Sequence, residues 1–267
     1  MFPSPKVVLT GVQFHEAEPE DSVTSPIPDL CATLASWPAD GTCCGYLSAD
    51  ACRYYLYAVS NQTCAAPPAV VHLDQLLRAD GVPLPSRSQR YSLALIMASS
   101  FLQLLESPWL PATFRTSDIF FVRSADAEGR EVLQLEQPHM RRQFGAGGDT
   151  SPDGQAAAFE SLDQLGIMLL ELCFGQVLED QPCRSKWPDG RNKTEREAFD
   201  VAAARDWQCR VGDEAGPDYA EAVAWCLGGN RSSPDRWREA MLGRVIRPLQ
   251  RCRDYLADAK MRVEDAC

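Results

Sequence analysis

Two segments of this 267-residue chain are apolar on nearly every side, and they constrain its fold more than any other feature. Ser86–Glu106 carries Tyr91, Leu93, Leu95, Ile96, Met97, Phe101, Leu102, Leu104 and Leu105; Ser161–Gly175 carries Leu162, Leu165, Ile167, Met168, Leu169, Leu170, Leu172 and Cys173. A helix apolar all round belongs either in a membrane or at the centre of a sizeable helical body. The continuous apolar stretches, Ser92–Leu105 and Leu162–Phe174, are shorter than the ~20 residues a bilayer demands and are interrupted by Gln103 and Glu171. No membrane span is expected, and both segments read as central helices. Gly166 costs such a helix about 1 kcal/mol relative to alanine, which implies a closely packed neighbour. Glu171, the one charge on its buried turn, needs a partner.

The flanking elements are shorter. Lys6–Phe14 reads as a strand, and Glu16–Pro28 as an acidic, proline-bearing linker. Asp29 looks like the N-cap of a helix over Leu30–Ser36. Cys44–Ser48 and Arg53–Val59 are β-prone runs able to pair antiparallel, and Val71–Arg78 reads as a short helix. Asp118–Val122 and Glu131–Leu135 flank the turn Asp126–Gly129 and predict a hairpin. Arg141–Gln155 is Gly-rich and loop-like; its glycines do not link a strand to a helix as a phosphate loop requires. Helices are expected at Glu195–Asp206, Asp218–Leu227 and Asp235–Ala259, with Pro248 kinking the last. That last helix sets Trp237, Met241, Val245, Leu249, Cys252 and Leu256 on one face. Arg238, Arg244, Arg247, Arg251 and Arg253 lie away from it, a solvated face or a docking patch for an acidic partner.

Charge and cysteine usage narrow the class. Lys+Arg number 26 against 37 Asp+Glu, a formal charge of −11 that argues against nucleic acid as a partner. Met1–Lys6 lacks the architecture of a secretory signal, so a cytoplasmic protein is expected. None of the 11 cysteines forms a C-x-x-C pair. Buried, reduced thiols are the plain reading; Cys31, Cys43, Cys44, Cys52 and Cys64 cluster enough to keep metal or redox chemistry open. No H-E-x-x-H, G-x-S-x-G or G-x-x-x-x-G-K-[ST] motif occurs. His15, His72 and His139 each lack a local nucleophile.

The order of elements in the middle resembles the C-terminal lobe of protein kinases: a long buried helix, a loop, a hairpin, a Gly-rich segment and a second buried helix. More closely, Ser92–Leu110 (SLALIMASSFLQLLESPWL), Asp118–Phe121 (DIFF) and Leu165–Gly175 (LGIMLLELCFG) resemble a fungal family of degenerate, kinase-like domains of unknown function. These often follow helical modules related to heterokaryon-incompatibility and prion-inhibition proteins. The resemblance spans about residues 70–258. It implies an α+β, mainly α fold: a reduced N-terminal β-containing lobe over residues 1–66 and a kinase-like C-terminal helical lobe over 67–267.

Phosphoryl transfer needs a base for the hydroxyl, ligands for magnesium, and a lysine on the phosphates. Matched to the kinase H-R-D-L-x-x-x-N loop, Asp118 stands at the Asn place and Thr113 at the place of the base, with Pro111 and Ala112 for His and Arg. Threonine accepts no proton near neutral pH. Glu136-Gln137-Pro138 stands where D-F-G would be, and Ser161 where the second helix usually opens with Asp. Lys6, the only lysine before Lys186, has no room for a Gly-rich loop ahead of it. The expectation is therefore a non-catalytic, kinase-like scaffold or regulatory domain with a protein partner, no catalytic residues, no cofactor and no metal. Asp118 and Glu136 are its vestigial metal or nucleotide positions, and Arg244, Arg247 and Arg251 its interaction residues. The rival expectation is an atypical nucleotide-dependent phosphotransferase rebuilt from Asp118, Glu136 and nearby arginines such as Arg115.

Overall fold

The computed structural model describes residues 25–35, 43–49, 52–57, 69–105, 107, 109–110, 113–125, 131–140, 154–228 and 236–264. The strand read at Lys6–Phe14, the turn Asp126–Gly129 and most of Arg141–Gln155 lie outside them. The chain divides into two compact units, Met1–Pro67 and Pro68–Cys267.

In the first unit, helix α1 (Leu30–Ala35) begins where Asp29 accepts the Ala32 amide at 3.0 Å, the N-cap its sequence announces. Strands β1 (Cys43–Ala49) and β2 (Cys52–Tyr57) pair antiparallel, with Tyr46 opposite Tyr55. Gly45 sits at φ +128°, and a Cβ there would lie 2.7 Å from the Ser25 carbonyl. Only glycine lets the segment Ser25–Ile27 bond along Tyr46, donating from Ile27 and accepting at Ser25.

In the second unit, the segment expected to be one helix over Val71–Arg78 is divided. Val70–His72 forms strand β3, and only Leu73–Leu77 is helical (α2). The two valines find a partner about fifty residues on: β3 pairs antiparallel with β4 (Ile119–Ala125), with Val71 opposite Phe121. β4 also pairs with β5 (Glu131–Leu133), as the hairpin reading required, and with β6 (His139–Met140). Alternation along β4 buries Ile119 and Phe121 while Phe120 stays half-buried. Each buried side chain contributes about 2 kcal/mol by transfer.

The two apolar segments become α3 (Arg87–Leu104) and α4 (Gly154–Phe174), and both are central. Ser86 caps α3 by accepting from Gln89 N while Gln89 Oε1 accepts from Ser86 N, a reciprocal box. Around them stand α5 (Lys193–Gln208), α6 (Val211–Leu227), α7 (Trp237–Met241) and α8 (Arg247–Glu264). Gly166 has the close neighbour it implied: a Cβ there would meet Leu227 side-chain atoms of α6 at 2.8 Å. α6 starts earlier than Asp218, because its first turns precede a break at Gly216 (φ 81°) just ahead of Pro217. Tyr219, beyond the break, donates its buried hydroxyl to Leu169 O at 2.8 Å. Pro248 has no N–H for the carbonyl four residues back, and the chain widens into a π-helical turn over Leu242–Ile246 ahead of it.

The fold is α+β and mainly α. Among the described residues, no helix is long and apolar enough to cross a membrane. Cys43, Cys44, Cys173, Cys183, Cys209, Cys226 and Cys252 are free thiols; Cys173 and Cys226 are buried, whereas Cys209 is exposed.

Candidate functional site

Two cavities open beside the loop that follows α3. The loop is shaped by its own polar residues: Asp118 Oδ2 accepts the Arg115 amide at 2.8 Å and closes the turn Thr116–Asp118. His72 Nδ1 bonds Ser117 O at 2.6 Å, tying the turn to β3. His139 stacks on Phe120 at 5.6 Å, so both described histidines hold β-strand structure.

The smaller cavity, about 60 Å³, lies among Arg78, Arg115, Thr116, Glu171, Glu179 and Asp200. Glu171, on α4, accepts the Leu178 amide at 2.8 Å and the Thr116 hydroxyl, the partners its burial required. Burial pushes its carboxyl up to about 7, against the pull of those two hydrogen bonds. Asp200, on α5, is also buried and bridges two guanidinium groups, Arg184 Nε at 2.6 Å and Arg115 Nη2 at 3.0 Å. Arg115 reaches Glu179 as well, at 3.3 Å, and Arg78 spans Asp74, Glu179 and Asp180. Charge-assisted bonds of this kind hold loop, helix and turn together.

The larger cavity, about 620 Å³, shares Phe114, Arg115 and Gln164 with the first. Its remaining wall comes from Thr113, Asp118 and the start of α5: Gly190, Arg191, Asn192, Lys193, Arg196 and Glu197. Asn192 caps α5 by accepting from Glu195 N at 2.8 Å. Lys193 donates to Thr113 Oγ1 at 2.5 Å.

Of the sequence candidates, Asp118 lines the larger cavity. Glu136 is exposed on the turn between β5 and β6 and lines neither cavity. Arg115 does stand beside Asp118, but its guanidinium is committed to Glu179 and Asp200. On the final helices, Arg244 pairs with Glu221 at 2.5 Å and Arg251 grips Asp218 with two bonds. The Arg251 hydrogen bonds hold the Asp218 carboxyl below its usual range. Arg247 is exposed, and Arg247, Arg251 and Tyr255 follow at four-residue spacing as one outward stripe of α8.

Sequence reasoning missed Asp200, Arg184, Lys193 and Arg196. A signal was present: Arg184, Lys186, Arg191, Lys193 and Arg196 concentrate basic charge in one short polar stretch of an acidic chain. Among the described residues, no group of three or more His, Cys, Asp and Glu is placed to hold a metal ion; the side chains of Cys31, Cys52 and Cys64 lie outside them.

A family model described as a domain of unknown function, DUF7580, matches residues 9–256. No curated protein and no solved structure matches the chain.

Proposed function

The chain belongs to the DUF7580 family, and from that premise we propose that it is a non-catalytic, kinase-like scaffold or regulatory domain acting through a protein partner. What carries this reading is the use to which carboxylates around the cavities are put. Asp118 caps its own turn, Glu171 receives Leu178 and Thr116, Asp200 bridges two arginines, and Glu179 pairs with Arg78 and Arg115. A general base must be free to take a proton, and a magnesium ligand must converge with a second one. Neither condition is favoured by acids already engaged, nor by Glu136 standing on a separate turn.

The partner-facing surface in this reading is the stripe Arg247–Arg251–Tyr255, with Arg244 beside it. Arginine and tyrosine are, with tryptophan, the side chains enriched where interfaces hold energy, and an acidic partner segment would meet them. The fungal signalling or self/non-self setting comes from the sequence resemblance alone.

Two measurements test the proposal. Thermal denaturation with ATP and Mg²⁺ is expected to leave the midpoint unchanged. Saturable stabilisation that disappears in Asp118→Asn or Glu136→Gln would instead establish the rebuilt phosphotransferase site, because a ligand stabilises by RT ln(1 + [L]/Kd). Replacing Arg244, Arg247 and Arg251 together by glutamate is expected to abolish co-purification of partners from a cell extract; an unchanged partner set retires the stripe.

A further inference from the structure

We infer that the larger cavity is an anion site whose ligand is a phosphomonoester. It goes beyond the scaffold reading: its donors come from the start of α5 and not from α8, although Asp118 lines the same cavity. Four cations line the wall (Arg115, Arg191, Lys193, Arg196) against two carboxylates, Asp118 and Glu197. Arg115 and Arg191 are balanced by Glu179, Asp200 and Glu195 just outside the wall, so Lys193 and Arg196 are the cations best placed for a ligand. A phosphomonoester offers them negative charge and three strong acceptor oxygens.

Donor commitments favour the same ligand. Arg196 sends Nε to the Asp189 carbonyl at 3.2 Å and has no carboxylate partner among the described residues. Lys193 gives one proton to Thr113 Oγ1, while its carboxylate neighbour Glu197 stands 3.9 Å off. An ammonium has three donors and a guanidinium five, so both groups keep donors for incoming oxygens. Arg191 is anchored to Glu195 at 3.2 Å but its side chain is 91% exposed, leaving its fork at the mouth. Arg115, tied to Asp200 and Glu179, is a fixed part of the rear wall rather than a free donor.

The wall is preformed. Gly190 sits at φ +81°, and a Cβ there would fall 2.6 Å from the Arg196 backbone nitrogen. The loop is therefore pressed onto the first turn of α5, with Asn192 capping it. A volume of about 620 Å³ exceeds what an inorganic anion fills and falls within the span of small-molecule sites. The organic part of the ester would occupy the remainder, against Phe114 and Gln164.

The ester could belong to a small metabolite or to a phosphorylated side chain, and titration calorimetry on the full chain separates them. The probes are O-phosphoserine, serine, an acetylated Ala-Ala-phosphoserine-Ala-Ala peptide and its unphosphorylated twin. Saturable one-to-one binding of the phosphorylated probes alone is expected, weakening about tenfold or more in Lys193→Gln/Arg196→Gln at an unchanged melting midpoint. Arg191→Gln is the second variant, at the mouth, and is expected to weaken binding by a smaller factor. A peptide bound about tenfold more tightly than phosphoserine assigns the ester to a protein; equal affinities assign it to a small molecule. The inference is overturned if neither phosphorylated probe saturates, if the unphosphorylated twins bind equally, or if the double variant binds as the wild type does.

Discussion

The two cavities share Phe114, Arg115 and Gln164, yet they make opposite use of charge. In the smaller one, carboxylates and guanidinium groups face each other at hydrogen-bond distance, and two of the acids, Glu171 and Asp200, are buried. In the larger one, cations line an open wall and several of their donors are uncommitted. The first arrangement is a cross-link. Removing one member strands its partner in a low-dielectric site, where an unpaired charge costs several kcal/mol. The second is a surface that water already solvates, so removing one member changes little until an anion arrives.

The largest expected effect breaks the cross-link. Asp200→Asn leaves buried Arg184 with no carboxylate, and unfolding in urea is expected to show a loss of about 3–5 kcal/mol. A loss under about 1 kcal/mol would mean that the bridge is as dispensable as an exposed pair.

Glu171 provides the next effect and a pH signature. Its carboxyl is raised from an ordinary 4.5 to about 7, so the folded chain takes up a proton that the unfolded chain releases. The resulting stability is fully present below about pH 4.5 and is lost as pH rises through about 7, up to about 3 kcal/mol in all. Glu171→Gln keeps an acceptor for Leu178 and Thr116 but cannot ionise. Its stability curve is expected to stay flatter than the wild type's across that window; parallel curves would sink the assignment.

Gly190→Ala probes the preformed wall. An alanine at φ +81° whose Cβ meets the Arg196 backbone is strained, and the expected loss is about 1–3 kcal/mol with weaker phosphoserine binding. The smallest effect belongs to the open rim: Arg191→Gln is expected to change stability by less than about 0.5 kcal/mol. A larger change would show that the rim is part of the structural network, and the contrast between the cavities would fail.

Much of the fold was legible because its signals are local. All-round apolarity named α3 and α4, Gly166 announced a close neighbour, Asp29 marked the start of α1, and two β-prone runs marked β4 and β5. What stayed hidden depends on partners far along the chain. Val70 and Val71 became a strand because β4 offered an edge. Buried Arg90 donates to the carbonyls of Leu172 and Cys173, 82 and 83 residues away, and so caps α4 from another helix. No spacing rule within α3 points to that role. The candidate site divides in the same way: Asp118 stood out by motif position and Arg115 only as an arginine near it, while Lys193, Arg196 and Asp200 looked like ordinary charges on a polar stretch.

By itself the sequence determined which segments must be interior, since apolar surface has nowhere else to go, and where helices start, since caps are set within a turn. Only the tertiary structure decided which charges became cross-links and which line an open wall. That distinction depends on burial and on the distance to a partner, and both are properties of the packed chain rather than of any residue in it.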